Sequence, residues 1–207
     1  MKLAELAIRL NSENGHERGH GRGLPPLIMI TDAGRLPDPL GAAARLPRGS
    51  AILLRDYDMA ERAALAQRLA NLARQCGLKL LVGEDAGLAI RIGAAGVHFS
   101  EARANEARRW RHRKNWLITV AAHSRPALAA AAKCGADAAL LSPVFRSESH
   151  PGTPALEVAG FTQLAARAGL PVYALGGITA GNAARLRHTP AVGIAAIGAF
   201  RDYTKER

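Results

Sequence analysis

Short apolar runs recur along the chain, each bounded by glycine, proline or polar turn residues. Most runs are apolar along their whole length, as expected for strands that are covered on both faces of a sheet. The pattern predicts eight strands, at Leu27–Thr31, Ala51–Arg55, Lys79–Gly83, Ala95–Phe99, Leu117–Ala121, Asp137–Ser142, Pro171–Gly176 and Val192–Gly198.

Alanine-rich segments with helical spacing separate these strands. The clearest is Met59–Cys76, where Asp58 and Glu61 predict a capping box at the start and Gly77 predicts a left-handed end. The same design predicts further helices at Arg125–Cys134 after Ser124, Glu157–Ala168, and Ala180–Leu186 after Thr179.

Eight strands alternating with helices favour closure into a barrel, because an open doubly wound sheet uses about five to seven such units. The fold class is therefore α/β, a single-domain (β/α)8 TIM barrel over residues 24–207. Met1–Asn11 predicts an extra amphipathic N-terminal helix with Leu3, Leu6 and Leu10 on one face. Residues 1–23 are assigned to this helix and a flexible, glycine-rich connection.

The 207 residues carry a formal net charge of +11, which bears on the partners more than on the fold. The dense basic run Arg108–Lys114 around Trp110 can mark nucleic-acid binding, but a solvated helix end is favoured, so no nucleic-acid partner is expected. The positive field suits phosphorylated small molecules. A homo-oligomer is left open.

The chain gives no sign of membrane insertion or export. No apolar run approaches the roughly 18–20 residues that cross a bilayer, and the charged N-terminus lacks the apolar core of a signal peptide. Two cysteines cannot form a disulfide framework. We therefore expect a cytoplasmic protein with no membrane partner.

In a barrel, the chemistry lies at the carboxyl ends of the strands. Glycines stand at the last two of these ends, in Gly176-Gly177 and in Ile197-Gly198, where barrels most often bind phosphate. Glycine lets backbone N–H groups approach an anion, and a helix start adds a favourable dipole. The sequence predicts a phosphate site here, the alternative being two tight turns without a ligand.

Several segments together resemble thiamin phosphate synthases and their thiazole tautomerase relatives. The resemblance rests on Gly93–Phe99, on Gly135–Asp137 leading to Ser142–Phe145, and on Leu175–Thr179 with Asn182, and it covers roughly residues 27–200. It implies a barrel that binds a small thiazole phosphate. A synthase joins this ligand to a pyrimidine methyl diphosphate with Mg²⁺ and releases pyrophosphate. A tautomerase needs only a general acid/base and no metal.

The chain departs from the synthase pattern where that pattern binds the diphosphate. The strand 2 pattern Gln-x-Arg-x-Lys reads Leu53, Arg55 and Tyr57 here. The loop pattern Thr-x-Thr-Lys after strand 6 becomes Ser147-Glu148-Ser149-His150, so Ser147, Ser149 and His150 are the corresponding candidates for ligand binding.

The metal ligands implied by the resemblance are incomplete. Glu84 follows strand 3 and can still ligate Mg²⁺, but the second carboxylate of the synthases falls near Arg103. Glu101 or Glu106 would have to replace it. Mg²⁺ is expected only if the protein is a synthase, and no other cofactor is implied.

Three strand-end side chains carry the remaining chemistry. His123 matches the catalytic histidine of the tautomerase branch, and imidazole gives and takes a proton near neutral pH; orienting the next helix start is the alternative. Arg55 is predicted to bind a carboxylate or phosphate through its planar guanidinium. His98, flanked by Val97 and Phe99, is more typical of a structural residue pointing into the barrel end, and it is also a candidate for substrate contact.

The sequence thus favours tautomerase-like proton transfer on a thiazole phosphate, with His123 and Arg55 as the catalytic residues. A thiamin phosphate synthase with a rearranged metal site is the first alternative. A non-catalytic barrel that binds a phosphorylated ligand is the second.

Overall fold

Eight parallel strands close into a barrel in the computed structural model, which describes residues 3–15, 23–146, 152 and 154–200. Each strand pairs with the next, and β8 pairs with β1 in the register Leu27↔Ile194. The predicted barrel and its strands are confirmed, at β1 Leu27–Ile30, β2 Ala51–Leu54, β3 Lys79–Gly83, β4 Gly96–Phe99, β5 Leu117–Ala122, β6 Ala138–Leu141, β7 Val172–Leu175 and β8 Ile194–Ala196.

Helices cover the outside of the barrel. They are α1 Leu3–Asn14, α2 Pro39–Ala44, α3 Arg62–Cys76, α4 Ala86–Arg91, α5 Ala107–Trp110, α6 Arg125–Cys134 and α7 Glu157–Ala166. Short 3₁₀ turns lie at Glu101–Glu106, Ala183–Leu186 and Gly198–Phe200. No helix in the described ranges has the length and apolar character to span a membrane.

Local signals predicted some helix ends correctly. Ser124 Oγ accepts a hydrogen bond from the Ala127 N–H at the start of α6, and Gly135 ends that helix at φ 76°. Gly77 ends α3 in the same left-handed conformation, at φ 66°. Because these caps depend on residues within one turn, the sequence alone specifies them.

Two predicted helix starts are wrong. The capping box at Asp58 does not form, because α3 begins only at Arg62, whose Nη2 donates to the Gly83 carbonyl at 2.6 Å. The helix predicted from Ala180 is reduced to the 3₁₀ turn Ala183–Leu186. There the Asn182 side chain accepts from the Thr179 N–H at 2.8 Å, a local bond that competes with helix formation.

Strand residues alternate between the inside of the barrel and the layer under the helices. Ile28, Leu81 and Leu140 belong to the inner cluster, whereas Met29 and Leu80 pack against the helices. At the amino end, Tyr173 donates to the Pro25 carbonyl at 2.7 Å and Lys79 Nζ to the Gly23 carbonyl at 2.5 Å. These bonds close that end of the barrel. The open end is therefore the carboxyl end.

Helix α1 packs on the barrel through the face that its spacing predicts. Leu3, Leu6 and Leu10 are buried, and the Asn11 side chain donates to the Val192 carbonyl at 2.9 Å. The Asn14 side chain reaches the Ala191 carbonyl at 2.9 Å. The helix thus covers the sheet where β8 meets β1. The predicted flexible connection at 16–22 lies outside the described residues.

Candidate active site

A cavity of about 610 Å³ opens at the carboxyl ends of the strands. Its wall brings together most of the predicted site residues, namely Arg55, His98, His123, Gly176, Gly177, Ile197 and Gly198. Glu84 is not among the lining residues, and Ser147, Ser149 and His150 lie outside the described part of the chain. A smaller cavity of about 270 Å³ lies by Asp137 and Leu170, at the opposite ends of β6 and β7, where barrels do not place their chemistry.

Backbone amides line one side of this cavity. The N–H groups of Gly177, Ile178, Gly198 and Ala199 have no acceptor among the residues that the structure describes. They belong to the segments after β7 and β8; Gly177, Ile178 and Gly198 line the cavity, and Ala199 directly follows Gly198. Phosphate is expected on this side of a barrel. Neighbouring backbone N–H groups without an internal acceptor can bind an anion without any charged side chain. We call these four amides the amide cradle.

The two glycines after β7 are required by packing as well. Gly177 has φ 64°, and a Cβ there would lie 2.4 Å from the Arg146 carbonyl oxygen. Gly176 has φ 96° and lies against Pro143. Glycine at these positions therefore lets the β7 loop pack on the segment after β6, whether or not an anion binds. Gly198 differs, since a Cβ there would meet nothing within 4 Å.

His123 lies at the rim of the cavity and is held by Glu101. One carboxylate oxygen, Glu101 Oε2, accepts both the backbone N–H of His123 at 3.0 Å and the ring Nδ1–H at 2.8 Å. The His123 side chain is 56% exposed. Because Nδ1 is engaged, Nε2 is the ring nitrogen left for a ligand. The partnership spans 22 positions and could not be derived from local sequence.

His98 lies deeper in the cavity and is buried. Its Nδ1 lies 2.9 Å from Thr119 Oγ1. Burial, with a smaller effect of the Arg55 charge, lowers the pKa of His98 to about 4. The ring is therefore neutral at neutral pH and can contact a ligand only as a neutral donor or acceptor. Its role in substrate binding stays a prediction.

Two arginines share one carboxylate on the β1–β2 side of the mouth. Arg55 Nη2 lies 2.6 Å from Asp32 Oδ2, and Arg35 Nη2 lies 2.5 Å from the same oxygen. The hydrogen bond from Arg35 is the main cause that lowers the pKa of Asp32. Asp32 therefore stays ionised and contacts both cations. Sequence reasoning missed Arg35, whose only signal is its spacing of three from Asp32.

The carboxylates near the mouth do not fit a Mg²⁺ site. Glu84 binds Arg103, Glu101 binds His123, and Glu106 lies 3.4 Å from Arg109. Asp85 caps α4 through the Leu88 N–H at 2.8 Å. Within the described ranges, no group of three or more His, Cys, Asp or Glu side chains could hold a metal ion. Mg²⁺ prefers an octahedron of oxygen ligands, which these engaged side chains do not offer.

The fold and the cavity define a (β/α)8 barrel protein whose candidate site is at the carboxyl end of the sheet. Residues 27–200 match the family model described as thiamine monophosphate synthase, TMP-TENI. The chain belongs to this family, which confirms the resemblance seen in the sequence.

Named relatives agree with this membership. The chain is 33% identical over 182 residues to a thiamine-phosphate synthase of Alcanivorax borkumensis, covering 84% of each chain. It is 36% identical over 167 residues to a thiamine-phosphate synthase of Chromobacterium violaceum, covering 79% of this chain and 80% of the relative. The thiamine phosphate pyrophosphorylase from Pyrococcus furiosus superposes with a TM-score of 0.69 at 22% identity, over 86% of this chain and 92% of that one. That superposition concerns the fold alone.

Proposed function

We propose that this protein is an isomerase of thiamin biosynthesis that moves a proton on a thiazole phosphate. The observation that carries the proposal is the His123–Glu101 pair at the rim of the cavity that also contains the amide cradle. The pair supplies an acid/base, and the cradle supplies a place for the phosphate. Such a reaction needs no metal, in keeping with the engaged carboxylates around the mouth.

The ligand would bind across the cavity. Its phosphate would accept hydrogen bonds from the amide cradle. Its ring would lie on the apolar floor formed by Ile30, Leu53 and Leu140. A ring carboxylate would face Arg55, which contacts Asp32 together with Arg35. Each part of a thiazole carboxylate phosphate thus has a matching surface.

The proposed step is a proton shift that leaves the composition of the ligand unchanged. His123 Nε2 takes a proton from one ring position, the electron pair moves to shift the double bond, and a proton returns at the new carbon. Glu101 keeps Nδ1 protonated and stabilises the imidazolium that forms, as a carboxylate does for a catalytic histidine. Base and acid are the same side chain, so no second catalyst is required.

A second function, synthesis of thiamin phosphate, has one observation in its favour. Relatives named thiamine-phosphate synthase are 33% and 36% identical to this chain. Arg55 would then contact the pyrimidine methyl diphosphate. A metal, if used, would have to come with the diphosphate, because Glu84 is bound to Arg103.

One assay separates the two functions. The protein is incubated in D₂O with the thiazole carboxylate phosphate, and ring-proton exchange and isomer formation are followed by NMR. A parallel sample contains thiazole phosphate, pyrimidine methyl diphosphate and MgCl₂, and pyrophosphate is measured. We expect isomer formation and no pyrophosphate. Pyrophosphate with thiamin phosphate would establish the second function. If neither product forms, the protein is a barrel that only binds the ligand.

A further inference from the structure

Glu84 joins the ends of two neighbouring strands. It directly follows β3, has a left-handed backbone at φ 63°, and its side chain is only 18% exposed. Oε1 accepts the Ser100 N–H, after β4, at 2.5 Å, and Oε2 accepts from Arg103 Nη1 at 2.6 Å. Both carboxylate oxygens are therefore in use. A strained backbone in a non-glycine residue is consistent with a position that these bonds fix.

Arg103 contacts Glu84 from a kink in its own segment. Within Glu101–Glu106, Arg103 alone has non-helical dihedrals, φ −107° and ψ 17°. Its Nη1 donates to the Glu84 carbonyl at 3.1 Å as well as to Oε2. Its guanidinium carbon lies 5.9 Å from the centroid of the Phe99 ring. One cation thus binds two oxygens of Glu84 while being anchored on β4.

Arg103 connects the ends of β3 and β4, which is the position that a bound metal ion would occupy. A divalent ion here would need the Glu84 carboxylate and further oxygen ligands from the loop after β4. The two candidates in that loop are engaged, Glu101 by His123 and Glu106 by Arg109. A guanidinium at 2.6 Å would also repel the ion directly.

We propose that Arg103 is a resident cation that takes the place of a divalent metal at the β3–β4 rim and excludes the metal from it. We call the contact between Arg103 and Glu84 the rim ion pair. The protein by itself then binds no Mg²⁺ or Mn²⁺ at Glu84, and the rim keeps its shape at any metal concentration. The inference concerns these residues alone and holds whichever reaction the cavity catalyses.

The test uses Mn²⁺ as the probe, with calorimetry and the EPR signal of the free ion as readouts on the full chain. Wild type should leave the Mn²⁺ signal unchanged at millimolar concentration. Arg103→Asp, which removes the cation and adds a carboxylate beside Glu84, should bind Mn²⁺ at least about tenfold more tightly than wild type. Adding Glu84→Gln should abolish this gain.

Controls separate the rim ion pair from general charge and folding effects. Arg91→Asp makes the same change in net charge at the last residue of α4, outside the rim ion pair, and should bind no Mn²⁺. Arg103→Lys keeps a cation and should behave as wild type, whereas Arg103→Ser covers the case in which the Asp variant does not fold. Mn²⁺ bound by wild type and lost in Glu84→Gln would overturn the proposal. So would a folded Arg103→Asp or Arg103→Ser protein that gains no Mn²⁺ affinity.

Discussion

At the scale of single residues, the site depends on two histidines in different surroundings. His123 is exposed at the cavity rim and paired with a carboxylate, which suits a group that must exchange protons with a ligand. His98 is buried against Thr119 and neutral. Of the two histidines, His123 is therefore placed for proton transfer and His98 for shaping the cavity.

Replacing His123 tests the proton-transfer role. We expect His123→Ala to lower kcat for isomerisation by about 10²–10⁴-fold, because the acid/base is lost. The affinity for inorganic phosphate should not change, since the amide cradle is untouched. His112→Ala is the matched control, because His112 is exposed and lies beside Trp110, with ring centroids 6.2 Å apart, and does not line the cavity. An unchanged kcat in His123→Ala would remove this residue from the mechanism.

The low pKa of His98 predicts how stability depends on pH. The unfolded chain takes up this proton near pH 6.5 and the folded protein only near pH 4. Keeping His98 neutral therefore contributes fully to the free energy of unfolding above pH 6.5. This contribution, about 3 kcal/mol in all, is lost as the pH falls toward 4. Urea unfolding between pH 7 and 4 should show a shallower loss of stability in His98→Gln. Parallel curves for the two proteins would contradict the assignment.

At the scale of elements, the sequence predicted what depends on near neighbours. Strand positions follow from apolar runs and the ends of α3 and α6 from glycines, and the barrel rule then brought Arg55, His98 and His123 to one mouth. Distances between side chains on different strands leave no such local signal. The Glu101–His123 pair, the Arg35–Asp32 contact and the delayed start of α3 are tertiary, so the sequence could not specify them.

Two aspartates test the distinction between a real and an apparent helix cap. Asp38 caps α2 by accepting from the Gly41 N–H at 2.9 Å, whereas Asp58 caps no helix because α3 starts at Arg62. Asp38→Ala should lower the free energy of unfolding by about 1 kcal/mol. Asp58→Ala should change it by less than about 0.5 kcal/mol. Equal losses, measured by chemical denaturation, would mean that Asp58 does stabilise the start of α3.

The loops after β7 and β8 allow phosphate binding to be separated from packing. Gly198→Val should weaken binding of inorganic phosphate at least about tenfold, because the new side chain fills the open space beside the amide cradle that the anion would occupy. Its unfolding free energy should stay within about 0.5 kcal/mol of wild type. Gly177→Ala, strained and close to Arg146, should instead cost more than about 1 kcal/mol.

Calorimetry and chemical denaturation measure these two effects. Gly23→Val, at the closed amino end of the barrel, is the control for an added side chain in open space. Full phosphate affinity in Gly198→Val would show that the anion binds elsewhere.

At the scale of the whole molecule, the barrel is closed at one end and open at the other. Residues 23–26 and helix α1 cover the amino end and the β8–β1 seam, and the cavity opens where the βα loops converge. The chain as a whole carries a net charge of +11, which favours anionic ligands in general. The fold, the net charge and the cavity all suit the small anionic ligand that we propose for the carboxyl end.

A crystal structure with the thiazole carboxylate phosphate bound tests the central claim most directly. We expect the phosphoryl oxygens on the N–H groups of Gly177, Ile178, Gly198 and Ala199, with His123 Nε2 in hydrogen-bonding reach of the thiazole ring and the rim ion pair intact. A phosphoryl group bound elsewhere, or a ring out of reach of His123, would contradict it.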